Sequence, residues 1–226
     1  MMLWHSLAPR RRLYLALLLM LLLNGALIGT RMVFTQSTSY AFLLWNLFLA
    51  TIPFAVIVFA RKLLLFEQTI PAFVLAAAGI LFLPNAPYLI TDLFHLRTTA
   101  AAPLWYDTIM IASCAATGLL LFYATMKKLE VMLLYMLPSG WRTSAMGGVA
   151  LLCGYGIHLG RHERFNSWDI ITNPGSLLQH VLASVRHPLL HMDVWGLTII
   201  YSAFLLVTYL VYRLLQSPGY TMPDRH

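Results

Sequence analysis

Two blocks of polar and ionisable residues lie where apolar stretches of the chain end. The first block, residues 83–96 with the sequence LPNAPYLITDLFHL, contains Asn85, Tyr88, Asp92 and His95. On an α-helix, Tyr88, Asp92 and His95 would share one face, because they are spaced i, i+4, i+7. A carboxylate beside an imidazole can hold one ring tautomer and exchange protons with it, which makes Asp92 and His95 the candidate catalytic, acid–base residues. The alternative is a structural pair that anchors the end of a helix.

The second block, residues 159–169 with the sequence LGRHERFNSWD, contains two arginines three positions apart, Arg161 and Arg164. Planar guanidinium groups suit a carboxylate, phosphate or sulfate, and the Asn166 and Ser167 side chains add neutral donors. The candidate ligand-binding residues of the two blocks are therefore Asn85, Tyr88, Arg161, Arg164, Asn166, Trp168 and Asp169. The alternative is a lock, in which an arginine pairs with Asp92 or Asp169 and joins the outer loops.

The histidines are the remaining candidates for site chemistry. His158 and His162, and likewise His187 and His191, are i, i+4 pairs that could reach one metal ion if they were helical. Pro188 interrupts the second pair, and HExxH and CxxC spacings are absent from the sequence. Walker, GxGxxG, nucleophile-elbow and CxxCH motifs are absent too, so we expect neither a metal site nor a cofactor.

The elements that must position these blocks are membrane helices. The chain of 226 residues is 60% hydrophobic and 10% charged, whereas a soluble domain carries about 25% charged residues. Because about 20 residues cross a bilayer, this length fits six spans and no soluble domain, so residues 1–226 form a single membrane domain. The net charge of +7 is explained by basic residues on cytoplasmic flanks, and no nucleic-acid partner is expected.

The sequence predicts an all-α bundle of about six spans with an outer interfacial helix. A cleaved signal peptide is the alternative for the first apolar run. The third span is broken by Pro84 and Pro87, after which an α-helical pattern resumes at Tyr88–Leu96. A short stretch, Val131–Leu137, is expected at the membrane interface, and residues 177–185 form the amphipathic outer helix. The spans are Leu13–Ile28, Ala41–Ala60, the broken span from Ile70, Leu104–Thr125, a short glycine-rich span around Gly147–Leu159, and Val194–Leu215.

Basic residues predict the orientation. With the N-terminus inside, ten of the fifteen lysines and arginines lie on the cytoplasmic side and five outside, as the positive-inside rule requires. Both termini are then cytoplasmic, and the protein is a multi-pass protein of the cell membrane. The long connection Arg161–Asp193 lies outside, together with six histidines: His95, His158, His162, His180, His187 and His191.

The two blocks resemble a widespread family of uncharacterised bacterial multi-pass membrane proteins, a domain-of-unknown-function family. Asn85, Pro87, Tyr88, Asp92 and His95 match its first block, and Arg161, Arg164, Asn166, Ser167, Trp168 and Asp169 match its second. The resemblance implies a bacterial inner-membrane location and covers most of the chain from the second span onward. It also implies that His162 and Glu163 are variable positions.

The leading functional prediction is an outward-facing polar cluster that binds a small anionic molecule or a lipid headgroup, in a transport, receptor or accessory role. One alternative is a membrane-embedded enzyme acting on an envelope lipid or glycan carrier. Another is a structural partner in a membrane-protein complex. The spans carry little charge in their inner halves, which argues against ion-coupled transport. We expect the two blocks to share one site, with Asp92 or His95 within reach of the second block.

Overall fold

The computed structural model describes residues 2–96 and 102–216, and this part of the chain is an all-α bundle. The α-helices are α1 (Met2–Thr35), α2 (Phe42–Leu65), α3 (Thr69–Phe82), α4 (Asn85–Tyr88), α5 (Leu104–Met136), α6 (Ser139–Arg161), α7 (Asp169–Thr172), α8 (Pro174–Arg186) and α9 (Met192–Leu215). A 3₁₀ segment, Leu89–His95, follows α4.

Within the described residues, five helical stretches are long and apolar enough to cross a membrane. They are Arg11–Thr35, Phe42–Leu65, Thr69–His95, Leu104–Tyr135 and Met192–Leu215. Large apolar side chains on their outer faces, such as Leu19 at 63% and Ile200 at 66% exposure, would be costly in water and suit contact with lipid. The protein is therefore a multi-pass membrane protein built as a helical bundle.

The sixth predicted span lies in α6, which is less apolar than the other five. Its 23 residues extend for about 34 Å at 1.5 Å per residue, which is enough to cross the hydrocarbon core. Two residues separate it from the end of α5, so it runs back along the bundle. Its last residue, Arg161, lies against His95, at the same end of the bundle as the start of α5. The path of α6 is that of the predicted sixth span, but α6 is not one of the five stretches apolar enough to cross a membrane, so the sixth span stays a prediction.

The two ends of the bundle are joined by different ion pairs. We call the end of the bundle that includes Arg161 the Arg161 end. There, Arg31 of α1 forms a buried, bidentate salt bridge with Asp107 of α5, with N···O distances of 2.7 and 3.1 Å. At the opposite end, Glu130 of α5 pairs with Arg213 of α9 at 2.9 Å. Arg31 and Arg161, two of the arginines assigned to the outside by charge, thus share the Arg161 end, whereas Arg97, another of them, lies outside the described residues. The orientation of that end in the membrane stays a prediction.

The Pro-broken third span is confirmed, but its continuation is not α-helical. α3 ends at Phe82, and after the four residues of α4 the chain tightens into the 3₁₀ segment. A 3₁₀ helix turns by about 120° per residue, so i and i+3 are aligned. Asp92 and His95 therefore remain on one face, whereas the expected alignment of Tyr88 with Asp92 is wrong.

The prediction of a separate interfacial stretch at Val131–Leu137 is also wrong. α5 continues without a break as far as Met136, because neither proline nor glycine follows Gly118 within it. Lys128, which follows the span predicted to end at Thr125, is only 8% exposed and lies over the rings of Tyr14 and Phe54, at 5.4 and 5.2 Å. A lysine can bury its aliphatic stem in this way while remaining inside a helix.

The predicted outer helix is present as α8, at the Arg161 end. Its polar residue Ser184 does not face outward: the side chain is fully buried, and its Oγ lies 2.8 Å from the Tyr155 hydroxyl. Its carbonyl oxygen accepts a hydrogen bond from the Trp195 ring at 2.9 Å. The apolar Leu178 and Val185 are more than half exposed, as suits a helix with one face against lipid.

Candidate functional site

Glycines on α6 bring the two sequence blocks together. A Cβ at Gly156 would lie 2.5 Å from the Pro84 ring, and one at Gly160 would lie 3.1 Å from the Tyr88 ring. Larger residues at these positions would therefore push α6 away from α4. The glycine-rich span predicted around Gly147–Leu159 thus packs closely against a neighbour, as small residues in membrane helices allow.

Two polar contacts then join the blocks. The Asn85 side-chain amide donates to Ser167 Oγ at 2.7 Å and to the Phe82 carbonyl at 2.9 Å. The guanidinium of Arg161 donates to His95 Nε2 at 2.8 Å. The prediction that Asp92 or His95 lies within direct reach of the second block is thus confirmed.

The Arg161 contact involves one nitrogen of the His95 ring. A guanidinium has only donors, so Nε2 is the acceptor in this contact, as in the imidazole tautomer that carries its proton on Nδ1. The ring also packs on Phe42, with centroids 5.1 Å apart, and Arg161 lies 5.4 Å from the centre of the Phe94 ring. These contacts join the third span to α6 through Arg161 and His95, whereas the lock described from the sequence would pair an arginine with Asp92 or Asp169.

Asp92 lies deeper than His95 and has a different partner. It is 1% exposed, and its Oδ2 accepts a hydrogen bond from the Asn46 side chain on α2 at 3.0 Å. Asn46 therefore supplies the polar partner that a carboxylate at membrane depth requires. The acid–base assignment of Asp92 and His95 stays a prediction.

The loop after α6 is shaped by its own backbone. Arg164 has φ +59°, a left-handed turn that returns the Phe165 N–H to the Leu159 carbonyl at 3.1 Å. Asp169 then accepts a hydrogen bond from the Asn166 N–H at 2.6 Å. Arg164 is exposed, so its guanidinium is presented at the surface of the Arg161 end.

A cavity of about 430 Å³ lies between α2, the α3–α4 break, α6 and α8. Such a volume is within the usual range of ligand pockets, about 300–1,000 Å³. Its polar lining residues are Asn46, Asn85, Tyr88, Asn166 and Ser167. Its other lining residues are mostly apolar and include Trp45, Leu49, Ile80, Leu81, Leu152, Tyr155, Phe165, Ile170, Leu177 and Val181.

Three of the seven predicted ligand-binding residues, Asn85, Tyr88 and Asn166, line this cavity. The other four lie around it. Arg161 follows the lining residue Gly160, and Arg164 precedes Phe165. The ring of Trp168 lies 6.3 Å from that of Trp45, and the Asp169 carboxylate organises the loop.

Comparison with known proteins gives a family. A family model described as "Protein of unknown function (DUF1361)" matches residues 45–208, which is well over half of the chain. The chain belongs to the DUF1361 family. No curated protein and no solved structure matches it. The matched region begins at Trp45 and contains every residue that lines the cavity, whereas α1 precedes it.

Sequence reasoning missed the contribution of α2 to the DUF1361 site. Trp45 and Asn46 both line the cavity, and Asn46 also holds Asp92. The available signal was the amide of Asn46 in the first turns of an apolar span, where a polar side chain needs a partner. The identity of that partner depends on the packing of α2 against the third span, which the sequence does not give.

The group that could hold a metal ion also differs from the expected pairs. His158, Glu163 and His180 each offer a ligand atom, and these atoms lie within 4.8 Å of one another. His180 comes from α8, so spacing along the chain could not reveal the group. His187 and His191 lie in the turn between α8 and α9 and not on a helix, so the helical pairing considered for them is wrong.

Proposed function

We propose that this protein binds a membrane lipid, or a lipid-like amphiphile, in the cavity between α2, the α3–α4 break, α6 and α8. The observation that carries the proposal is that the two sequence blocks meet in a single cavity with a mostly apolar lining and a set of amide and hydroxyl groups. A transport, receptor or accessory role would use this same binding step.

The shape of the cavity favours an amphiphile over a small soluble anion. Leu81, Leu152 and Ile170 line it, and all three are also large apolar residues on the exposed surface of the bundle. A cavity whose walls continue into the lipid-facing surface admits an acyl chain from the bilayer without passage through water. Burial of each methylene group against these walls contributes about 0.8 kcal/mol relative to water.

The polar lining suits the headgroup. Asn46 and Asn166 offer amide groups that can donate to glycerol, ester, sugar or phosphate oxygens, and Asn85, whose two N–H groups are already engaged, offers its amide oxygen to a hydroxyl. Arg161 and Arg164 lie in the segment that bounds the cavity between Gly160 and Phe165, so an anionic headgroup would meet positive charge at the cavity margin. Because Arg161 is held by His95, Arg164 is the arginine we assign to the headgroup.

The test fills the cavity by substitution on α6. Leu152 lines the cavity and is 55% exposed, so Leu152→Trp occupies part of the ligand volume without overpacking the core. Leu151 is adjacent, 44% exposed and outside the cavity lining, which makes Leu151→Trp the matched control. Native mass spectrometry of the protein released from nanodiscs of bacterial lipid extract measures the retained lipid.

We expect the wild type and Leu151→Trp to retain one lipid under conditions that strip loosely bound lipid, and Leu152→Trp to lose it. Arg164→Gln should shift the retained lipid from anionic towards neutral headgroups. Equal retention by both tryptophan variants, or a wild type that retains no lipid, would overturn the proposal.

A further inference from the structure

The second notable cluster lies beside the cavity and is built from α6, the loop after it, and α8. His158 is in the last turn of α6, Glu163 is in the following loop, and His180 is in the middle of α8. The carboxylate lies between the two imidazoles, with Oε1 at 3.9 Å from His158 Nε2 and Oε2 at 3.8 Å from His180 Nδ1. Both distances are too long for hydrogen bonds.

His158 is the residue that requires an explanation. Its side chain is 2% exposed, and within the described part of the chain neither ring nitrogen has a hydrogen-bond partner. Each ring nitrogen of an imidazole is either a hydrogen-bond donor or an acceptor. Leaving both nitrogens without a partner in a buried position is costly. His180 also has a buried nitrogen without a partner in this region, Nε2, although the nitrogen that faces Glu163 is Nδ1. Two imidazoles and a carboxylate therefore face each other without hydrogen bonds between them, as the ligands of a metal ion do.

We infer that His158, Glu163 and His180 bind a divalent transition-metal ion of the zinc class. Two histidines and one glutamate form a donor set that Zn²⁺ accepts, with a fourth position for water or an exogenous ligand. Ligand atoms at zinc-bond lengths lie about 3.3–3.6 Å apart, so the observed 3.8 and 3.9 Å require contractions of about 0.2–0.6 Å, and all three ligand atoms already lie within 4.8 Å of one another. Glu163 is on a loop and 37% exposed, so it can make that movement.

The surroundings fit a bound ion. The ring of His162 stacks on that of His158, with centroids 5.1 Å apart, and this places a third imidazole beside those of His158 and His180. The ring of Tyr155 lies 6.5 Å from His158, and that of Phe165 lies 5.9 Å from His180. Tyr155 and Phe165 both line the cavity, so the ion would lie just behind the cavity wall.

This inference revises the expectation that metal is dispensable, and it concerns this chain in particular. The resemblance seen in the sequence implied a variable position at Glu163, so the site is assigned to this protein and not to the DUF1361 family. The binding of metal does not depend on the proposed lipid, and it is measured with lipid-free detergent preparations.

The test uses the full chain purified with a histidine-free affinity tag. Zinc is measured by elemental analysis after loading and desalting, and Co²⁺ is used as a spectroscopic probe because a tetrahedral cobalt site absorbs visible light. The variants are Glu163→Gln and His180→Ala, which alter part-exposed residues, and His158→Ala, which alters the buried one. The control is His191→Ala, outside the cluster. Mg²⁺, which prefers oxygen ligands, serves as the control ion.

We expect one zinc per chain in the wild type and in His191→Ala, with no retained magnesium. Loss of a direct ligand should weaken zinc binding at least as much as loss of an outer hydrogen-bond partner, which costs about 10–100-fold. If His158→Ala does not fold, the other two variants decide the outcome. Wild-type protein that holds less than about one-tenth of an equivalent of zinc after loading, or equal zinc in Glu163→Gln, His180→Ala and the wild type, would overturn the inference.

Discussion

The contact between Arg161 and His95 can be tested as a lock by a double-mutant cycle. Arg161→Met keeps a long side chain without donors, and His95→Phe keeps the ring that packs on Phe42 while removing the acceptor. A hydrogen bond with a charged partner contributes about 1.5–3 kcal/mol. Because Arg161 is partly exposed, we take the lower half of that range, and its position over Phe94 adds about 0.5–1 kcal/mol. Arg161→Met should therefore lower the free energy of unfolding by about 2–3 kcal/mol.

The unfolding free energy is measured by titration with sodium dodecyl sulfate in mixed micelles, with helix content as the signal. The coupling energy between Arg161→Met and His95→Phe should be about 1–2 kcal/mol, since each single variant already removes the shared contact. Arg164→Met is the control, and as an exposed arginine it should change stability by less than about 0.5 kcal/mol. Additivity of the two single variants would refute the lock, and near-normal stability combined with lost lipid retention would assign Arg161 to the ligand instead.

Three further predictions concern the framework of the site. Replacing Arg31 or Asp107 alone by alanine should cost about 3–5 kcal/mol of unfolding free energy by leaving a buried charge unpaired, and an Arg31→Leu/Asp107→Leu double variant should recover most of it. In Gly118→Ala the new Cβ would fall on the Ala86 carbonyl oxygen and push α4 off α5, so stability should fall by about 1–3 kcal/mol, whereas Gly147→Ala, with open space around it, should be neutral or stabilising. Reporter fusions should place both termini in the cytoplasm and the 161–193 connection outside, and a cytoplasmic connection would contradict the orientation.

Rules that use only the local sequence were sufficient to predict the broad architecture of the helical bundle. Long apolar runs predict spans because a bilayer requires them, and two prolines in four residues predict a break. Counting the predicted membrane passes along the chain placed the two blocks at the same end of the bundle. From there, the cost of unpaired polar groups was enough to predict that His95 and the second block would be in contact.

The parts that escaped prediction depend on how helices rotate against each other. Whether Ser184 of α8 faces protein or solvent is decided by its contact with Tyr155, which is remote in sequence. Asn46 meets Asp92 across the α2 interface for the same reason. The cluster of His158 and His180 joins two helices separated by a loop, so neither residue's local spacing carries the information.

Photochemical labelling tests the proposed lipid site most directly. A phospholipid with a diazirine in one acyl chain is incorporated into nanodiscs, and peptide mass spectrometry maps the adducts after irradiation. Leu152, Leu81 and Ile170 line the cavity, whereas Ile199 of α9 is 59% exposed and does not. If the cavity binds lipid, adducts will concentrate on the three cavity residues relative to Ile199, and Leu151→Trp but not Leu152→Trp will preserve that enrichment at Leu81 and Ile170. Labelling at Ile199 equal to that in the cavity, unchanged by Leu152→Trp, would contradict the account.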